Sequence, residues 1–253
     1  MKPKKSLGQH FLKSDVALRA MISEAALSPR DTVLEVGPGR GTLTEALLAT
    51  GARVIAVEKD ERLAESLKSL RSIKSIKPER LKIICADILT FNFTDLTDFS
   101  DVMDYKLVAN IPYYLTGALL RKFLESETRP SKMVLMVQKE VAERIVARDG
   151  KESILSMGVK KFARPTYVAT VGKECFHPRP KVDSAVISLL SRETPLPIDL
   201  ELVRRGFAHP RKLLSGNLGI NPSDLKNNAI PEKARAENLS TEQWIQLCKY
   251  LHK

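Results

Sequence analysis

The sequence predicts an α/β fold in which a mainly parallel sheet carries helices on both faces, followed by a small helical domain. Short, nearly continuous apolar strands alternate with amphipathic helical segments over residues 32–137, a pattern typical of parallel sheets that are buried on both sides. A glycine-rich turn follows the first of these strands, and after residue 193 the helical patterns continue without a convincing strand. A chain of 253 residues is long enough to bury such a core.

The chain starts with a basic segment, residues 1–13, that differs from an ordinary solvated terminus. Its apolar side chains at Leu7, Phe11 and Leu12 are too many for a segment surrounded only by water. We therefore expect this segment to pack on the rest of the chain.

The remaining elements follow from apolar runs for strands and from apolar side chains at three- and four-residue spacing for helices. Ser14 or Asp15 can cap the first helix, and an Asp-rich loop is expected over residues 92–104. The predicted helices are Ser14–Leu27, Thr42–Ala49, Glu61–Leu70, Leu115–Glu125, Gln138–Ala147 and Ile154–Phe162. The predicted strands are Thr32–Val36, Arg53–Val57, Leu81–Cys85, Tyr105–Ala109, Lys132–Val137, Tyr167–Val171 and Ala185–Leu190. We expect the last two strands to close the sheet as an antiparallel edge pair.

The charge balance indicates a polyanionic partner. There are 41 Lys and Arg residues against 30 Asp and Glu, a formal net charge of +11, which suits nucleic acid or an anionic surface; a soluble basic enzyme remains the alternative. The three cysteines are far apart, and the four histidines form no ligand cluster, so neither a disulfide framework nor a metal site is expected. No apolar run approaches membrane-spanning length and no signal peptide is recognisable, so the expected location is the cytoplasm.

The glycine-rich turn predicts a nucleotide-type cofactor site. Gly37, Gly39 and Gly41 alternate with other residues directly after the strand Thr32–Val36. Glycine lets the backbone approach a ligand closely, because no Cβ intervenes and positive φ costs little. A tight turn that binds no ligand would also need glycine. The turn alone also does not distinguish one nucleotide-type cofactor from another.

Polar side chains end the next three strands of the predicted sheet. Glu58 follows the second strand, Asp87 the third and Asn110 the fourth. The carboxyl ends of parallel strands share one edge, where open α/β sheets bind ligands. Glu58 can accept hydrogen bonds from the hydroxyls of a ribose, and Asp87 can accept one from the amino group of an adenine.

The fourth-strand motif favours S-adenosylmethionine over NAD. Asn110-Ile111-Pro112-Tyr113 resembles the [Asn/Asp/Ser]-Pro-Pro-[Tyr/Phe] signature of amino-methyltransferases. An exocyclic amine on adenine is a poor nucleophile, because its lone pair is delocalised into the ring. Neutral acceptors at Asn110 and at a carbonyl near Ile111 can accept hydrogen bonds from the N–H groups of this amine. These hydrogen bonds would direct its lone pair at a methyl group. Tyr113 can stack on the target base. An ordinary proline turn after a strand is the structural alternative.

Four sequence blocks are similar to those of the small-subunit ribosomal RNA adenine dimethyltransferases. The similarity runs from Lys5 to about Leu190 and more weakly to the end of the chain. The blocks are Leu7-Gly8-Gln9-His10-Phe11-Leu12, Glu35-Val36-Gly37-Pro38-Gly39-Arg40-Gly41-Thr42-Leu43-Thr44, Asn110-Ile111-Pro112-Tyr113-Tyr114 and Phe176-His177-Pro178-Arg179-Pro180-Lys181-Val182-Asp183-Ser184.

This resemblance implies an organisation into three parts. Residues 1–13 would form an N-terminal flap, residues 14–192 a Rossmann-like methyltransferase domain that uses S-adenosylmethionine, and residues 193–253 a helical RNA-binding domain. The implied activity is dimethylation of the N6 amines of two adjacent adenosines near the 3′ end of small-subunit rRNA. The implied partner is that rRNA or the pre-30S particle. The implied enzyme is a monomer with a role in small-subunit biogenesis.

The resemblance also implies roles for individual residues. The implied cofactor contacts are His10, Leu12, Gly37 and Gly39, with Glu58 on the ribose, Asp87 on the adenine and Asn110 joining the cofactor to the target amine. The implied catalytic residues are Asn110, Ile111, Pro112, Tyr113 and Phe176. Phe176 would pack over the target adenine opposite Tyr113, although burial is the commoner fate of a phenylalanine.

Other functions remain open on the sequence alone. The large-subunit rRNA methyltransferases of macrolide resistance share two of the blocks, but usually have Gln-Asn-Phe where this chain has Gln9-His10-Phe11. A non-catalytic ribosome assembly factor and a small-molecule or protein-amine methyltransferase are further alternatives. The candidate RNA contacts are Arg144, Arg148, Lys151, Lys160, Lys161, Arg164, Lys173, Arg179, Lys181, Arg204, Arg205, Arg211 and Lys212.

Overall fold

The structure, a computed structural model, describes residues 8–69, 78–92 and 104–252. The strands are β1 Phe11–Leu12, β2 Thr32–Val36, β3 Arg53–Glu58, β4 Leu81–Cys85, β5 Lys106–Asn110, β6 Lys132–Gln138, β7 Ala163–Val171, β8 Phe176–His177 and β9 Ser184–Ser191. The helices are α1 Asp15–Ala25, α2 Thr42–Ala49, α3 Glu61–Leu67, α4 Thr116–Leu124, α5 Lys139–Val146, α6 Ile154–Phe162, α7 Leu200–Gly206, α8 Leu214–Leu218, α9 Pro222–Lys226 and α10 Thr241–Leu251.

The predicted α/β sheet is confirmed. Seven strands lie in the order β4-β3-β2-β5-β6-β9-β7. The pairs β3–β4, β2–β3, β2–β5 and β5–β6 are parallel, and β9 runs antiparallel to β6. The chain builds outward from β2 on one side and then returns to place β5 on the other. This reversal opens a crevice at the carboxyl ends of β2 and β5, the usual ligand site of such sheets.

The predicted element positions are confirmed, with shifts at their ends. Ser14 caps α1 by accepting a hydrogen bond from the Ala17 amide, but the helix stops at Ala25 rather than Leu27, because Ala26 adopts a left-handed conformation with φ of 46°. The two last strands do close the sheet, with β9 between β6 and the edge strand β7. Helix α3 ends at Leu67; the predicted end at Leu70 and most of the Asp-rich loop lie outside the described residues.

The expectation that the N-terminal segment packs on the chain is confirmed for its described part. Phe11 and Leu12 form β1, which pairs antiparallel with Phe176 and His177 of β8, and Leu12 is buried. This two-stranded ladder was not predicted from the sequence. We refer to residues 9–13 as the N-terminal strap. Leu7 lies outside the described residues.

The chain divides into two compact units, and the division differs from the predicted boundary at residue 193. The first unit holds the sheet up to Lys139 together with residues 166–191, whereas residues 140–165 group with residues 192–253. The core of the second unit explains this grouping, because Met157 of α6 is buried in the same apolar cluster as Trp244 and Leu247 of α10. The Glu152 amide also donates to the Glu237 carbonyl at 3.0 Å.

Candidate functional site

A cavity opens at the carboxyl edge of the sheet, within the first unit, where the order of strands reverses. It brings together the residues predicted for the site apart from Gly41. These are His10, Leu12, Gly37, Gly39, Glu58, Asp87, Asn110, Ile111, Pro112, Tyr113 and Phe176. The parallel sheet accounts for the convergence, because β2, β3, β4 and β5 all end at this edge.

The glycine turn forms the floor of the cavity at two of its three glycines. Gly37 and Gly39 line the cavity and have φ values of 65° and 61°, which side chains with a Cβ rarely adopt. The Gly37 amide donates to the Val57 carbonyl at 2.9 Å and so ties the turn to β3. Gly41 departs from the prediction, since it caps α2 with φ of 87° and is not part of the lining.

Glu58 lies at the end of β3 with its carboxylate directed at backbone amides. One oxygen accepts from the Gly39 amide at 3.0 Å, and the other accepts from the Asp60 amide at 2.8 Å. Burial raises the pKa of Glu58, whereas these two amide hydrogen bonds act to lower it. The carboxylate thus couples β3 to the glycine turn, and each oxygen retains a further lone pair for a ligand hydroxyl.

Asp87 follows β4 and forms an ion pair at the rim of the cavity. One of its oxygens lies 2.8 Å from the Lys59 ammonium, and the other accepts from the Leu89 amide at 3.0 Å. The hydrogen bond to Lys59 lowers the pKa of Asp87. Asp87 is therefore an ionised acceptor, and a ligand amino group would compete with the Lys59 ammonium for it.

Asn110 is held by the N-terminal strap. Its side-chain nitrogen donates to the main-chain oxygen of His10 at 3.3 Å, which leaves its side-chain oxygen as an acceptor. The His10 ring stacks on Tyr113 at 5.8 Å between centroids, and its Nδ1 lies 2.7 Å from the Pro178 carbonyl oxygen. Because a carbonyl only accepts, Nδ1 carries the proton in this contact. Tyr113 is fixed in turn by a 2.9 Å hydrogen bond between its hydroxyl and that of Ser184.

The strap is also packed on the glycine turn. The Arg40 guanidinium lies 4.6 Å from the centre of the Phe11 ring. A Cβ on Gly39 would come within 3.1 Å of the same ring, so glycine is required there for the strap to lie this close. Phe11 therefore links the strap to the floor of the cavity.

Phe176 lines the cavity but is only 4% exposed. It pairs with Leu12 across the β1–β8 ladder, so the strap covers much of its surface. Phe176 is therefore buried and also part of the cavity lining, and its packing over the target adenine stays a prediction.

Glu35 is a lining residue that was not predicted from the sequence. It lies in the interior strand β2 and is 1% exposed. Neither carboxylate oxygen has a hydrogen-bond partner of normal geometry within the described part of the chain. Burial raises its pKa to about 8, with a smaller opposing influence from the Thr44 hydroxyl. An acidic residue inside an otherwise apolar strand was the available signal, since such a charge is costly unless a ligand or proton compensates it.

The candidate RNA-contacting side chains differ in whether they already bond to other described residues. Lys160 pairs with Glu152 at 2.5 Å, Lys161 donates to the Ile198 carbonyl, and Arg205 donates to the Leu218 carbonyl. These three support the second unit itself. Arg179 and Lys181 are exposed on the loop after β8 and form no ion pair with any described residue, so they are better placed to meet a phosphate.

Two further kinds of feature are absent from residues 8–69, 78–92 and 104–252. No helix there has the length and apolar character needed to cross a membrane. No group of three or more His, Cys, Asp or Glu side chains in these ranges is arranged to hold a metal ion.

Comparison with known proteins gives consistent matches over the whole chain. The family model described as ribosomal RNA adenine dimethylase matches residues 1–253. The ribosomal RNA small subunit methyltransferase A of Dehalococcoides mccartyi is 40% identical over 266 residues, which cover 98% of this chain and 88% of the relative. The protein of the same name from Nostoc sp. is 38% identical, covering 99% of this chain and 98% of the relative.

Solved structures show the same similarity. The crystal structure of the 23S rRNA methyltransferase ErmE has a TM-score of 0.79 at 27% identity, covering 96% of this chain and 100% of that chain. A dimethyladenosine transferase from Plasmodium falciparum has a TM-score of 0.77 at 26% identity, covering 94% and 95%.

Proposed function

The chain belongs to the ribosomal RNA adenine dimethylase family, and from this membership we propose that it dimethylates adenosine N6 amines in small-subunit (16S) rRNA with S-adenosylmethionine as methyl donor. The targets are two adjacent adenosines in a loop near the 3′ end of that RNA. The observation that supports this reaction most directly is the Asn110 side chain, held by the His10 carbonyl with its own oxygen free to accept.

The residues around the cavity fit the proposed donor. Glu58 can accept from ribose hydroxyls while it keeps its amide bonds, and Asp87 can accept from the adenine amino group. The orphaned carboxyl of Glu35 suits a ligand that carries positive charge, and Gly37 and Gly39 leave room for it. When bound, S-adenosylmethionine supplies an electrophilic methyl group on a positively charged sulfur.

The residues of the Asn110 motif would act on the target amine. The Asn110 side-chain oxygen would accept a hydrogen bond from one N–H of the target amine. This hydrogen bond strengthens as positive charge develops on the amine nitrogen during transfer. After one methylation the amine still has one N–H to donate, so the same acceptor serves the second transfer. Asn110 is neutral and catalysis rests on positioning, because methyl transfer releases the amine proton only after the nitrogen has become acidic.

Tyr113 and its neighbours would set the plane of the target base. Its ring is fixed at the hydroxyl by Ser184, and Pro112 (φ of −55°) begins the turn that carries it. Ile111 is 2% exposed and anchors this turn in the core. Phe176 lines the same cavity and offers a second apolar surface to the base.

The proposal extends to the wider organisation of the protein. We infer that residues 193–253, together with α5, contact rRNA through their basic side chains, and that the protein acts as a monomer in the cytoplasm during small-subunit biogenesis. The excess of 41 basic over 30 acidic residues supports a polyanionic partner.

The test is methylation of small-subunit particles that lack the modification. Incubation with isotope-labelled S-adenosylmethionine, followed by mass spectrometry of rRNA fragments, should give N6,N6-dimethyladenosine at two neighbouring positions of the small-subunit RNA. Label appearing only in a parallel incubation with large-subunit particles would instead support a 23S rRNA methyltransferase activity, as named for ErmE. Cofactor binding without methyl incorporation would support a purely structural role in assembly.

A further inference from the structure

Two consecutive tyrosines on one 3₁₀ turn have different environments. Tyr113 and Tyr114 both belong to the turn Tyr113–Leu115, and both line the cavity. The Tyr113 ring is partly buried and tied to Ser184, whereas Tyr114 is 59% exposed. In a 3₁₀ turn, successive side chains point about 120° apart, so the two rings point in different directions, and the Tyr114 ring is the one open to solvent.

The Tyr114 ring is positioned despite its exposure. Gly8 lies against it, since a Cβ on that glycine would be 3.5 Å from the ring carbon Cδ1. Gly8 has φ of 57°, and this left-handed conformation lets the chain run close beside the ring. The turn itself continues directly into α4, whose first residue, Thr116, donates its hydroxyl to the Tyr113 carbonyl at 3.1 Å. An exposed ring held in this way loses little conformational freedom when it binds a ligand.

Cationic side chains line the same cavity as Tyr114 or lie on the loop that is joined to the strap. Lys59 lines the cavity together with Tyr114 and is 56% exposed, and the hydrogen bond from its ammonium to Asp87 raises its pKa. Arg179 and Lys181 are exposed on the loop after β8, and this loop is joined to the strap through Pro178 and His10. An exposed aromatic ring with nearby cations is the combination that proteins use to bind single-stranded nucleic acid.

We propose that Tyr114 stacks on the base of the nucleotide next to the target adenosine, so that the two tyrosines hold two successive nucleotides of the substrate RNA. This inference rests on the proposed function. The α-carbons of Tyr113 and Tyr114 are about 3.8 Å apart. When a base is held at Tyr113, the adjoining nucleotide is therefore within reach of Tyr114. For a substrate with two adjacent adenosines, Tyr114 would hold one while the other is methylated.

The experiment compares Tyr114→Ala, Tyr114→Phe and Tyr114→Trp with the wild type. The substrate is unmethylated small-subunit particles, with labelled methyl groups counted per particle. Stacking contributes about 1–3 kcal/mol per base, or roughly a 5- to 150-fold change. We expect Tyr114→Ala to raise the KM for particles within that range and to change kcat less, whereas Tyr114→Phe and Tyr114→Trp keep the wild-type KM because stacking needs the ring and not the hydroxyl.

The controls separate this inference from the proposed function. Binding of S-adenosylhomocysteine, measured by calorimetry, should be the same for all three variants, because Tyr114 is assigned to RNA and not to the cofactor. Tyr167→Ala removes a half-buried tyrosine of β7 that does not line the cavity and should leave the KM unchanged. An unchanged KM in Tyr114→Ala, or an equal loss in Tyr114→Phe, would overturn the stacking role. A wild-type enzyme that transfers no methyl group would instead refute the proposed function.

Discussion

The side-chain nitrogen of Asn110 lies 3.3 Å from the main-chain oxygen of His10. The group that accepts this hydrogen bond belongs to the N-terminal strap, which is distant in sequence from β5. The contact determines which end of the Asn110 amide is left to accept, because a carbonyl can only accept and the amide nitrogen must therefore point toward it. If Asn110 acts on the target amine as proposed, its orientation depends on a segment outside the main sheet.

Substitution of Asn110 tests this orientation. Asn110→Ala removes the acceptor, and we expect kcat for methyl transfer to fall by roughly 10²- to 10³-fold with little change in S-adenosylhomocysteine affinity. Asn110→Asp keeps an oxygen toward the target but cannot donate to His10, and its carboxylate would repel that carbonyl. We expect it to be nearly as impaired as the alanine variant. Wild-type turnover by Asn110→Asp, measured by methyl incorporation, would show that donation to His10 is dispensable.

Glu58 should contribute mainly to cofactor affinity. In Glu58→Ala the amides of Gly39 and Asp60 lose their acceptor, and the proposed ribose contact disappears. Hydrogen bonds to charged groups contribute about 1.5–3 kcal/mol, so calorimetry should show S-adenosylhomocysteine binding about 10- to 150-fold more weakly. Glu58→Gln keeps one acceptor oxygen, so its affinity for S-adenosylhomocysteine should lie between those of the wild type and Glu58→Ala. Affinity equal to the wild type in a folded Glu58→Ala variant would refute the ribose assignment.

Asp87 and Lys59 should have unequal effects although they form one ion pair. The pair is exposed, with 56% of the Lys59 side chain and 30% of the Asp87 side chain accessible, and exposed ion pairs contribute little because water screens them. Lys59→Met should therefore change S-adenosylhomocysteine affinity by less than about fivefold. Asp87→Ala removes the proposed acceptor for the adenine amino group, and we expect a loss of about tenfold or more. Equal losses in the two variants would indicate that the ion pair, rather than the acceptor, is what the cofactor needs.

Much of the site could be predicted because it follows from the order of strands. If Thr32–Val36 and the strands after it are parallel, Glu58, Asp87 and Asn110 have to meet at one edge. The ladder between β1 and β8 could not be predicted in this way, because two-residue strands have no measurable periodicity and their partner is far along the chain. The grouping of α6 with the C-terminal helices was missed for a related reason, since an apolar helix face does not reveal which core receives it.

The pH dependence of stability should report on Glu35. Its pKa is raised to about 8 by burial, so between the ordinary glutamate pKa and about pH 8 it is protonated in the folded state and ionised in the unfolded state. The unfolded state then binds fewer protons, and stability falls as the pH rises through this range. Above about pH 8 the group is ionised in both states, and the penalty stays constant at no more than roughly 5 kcal/mol.

Glu35→Gln removes this titration. Urea unfolding measured from about pH 5 to about pH 9 should show the variant gaining stability relative to the wild type as the pH rises, with most of the gain below about pH 8. Thr44→Val is a matched variant, because it removes the neighbouring hydroxyl that lowers the pKa of Glu35 and should extend the loss of stability to higher pH than in the wild type. A stability difference between Glu35→Gln and the wild type that does not vary with pH would contradict the raised pKa.

The close packing of Phe11 on Gly39 should be needed to keep the N-terminal strap on the glycine turn. Gly39→Ala would place a Cβ 3.1 Å from the Phe11 ring at φ of 61°, whereas Gly150→Ala imposes similar backbone strain at φ of 76° with no atom within 4 Å. Both variants bear a cost of about 1–2 kcal/mol for the left-handed conformation, but only the first displaces the strap. Lys13 is tied to the Cys175 carbonyl by its amide at 2.8 Å, so limited trypsin digestion should cut after Lys13 faster in Gly39→Ala and at the wild-type rate in Gly150→Ala. Equal rates in the two variants would mean that the strap does not depend on the glycine turn. Faster cutting together with lower methyl transfer would connect strap closure to the orientation of Asn110.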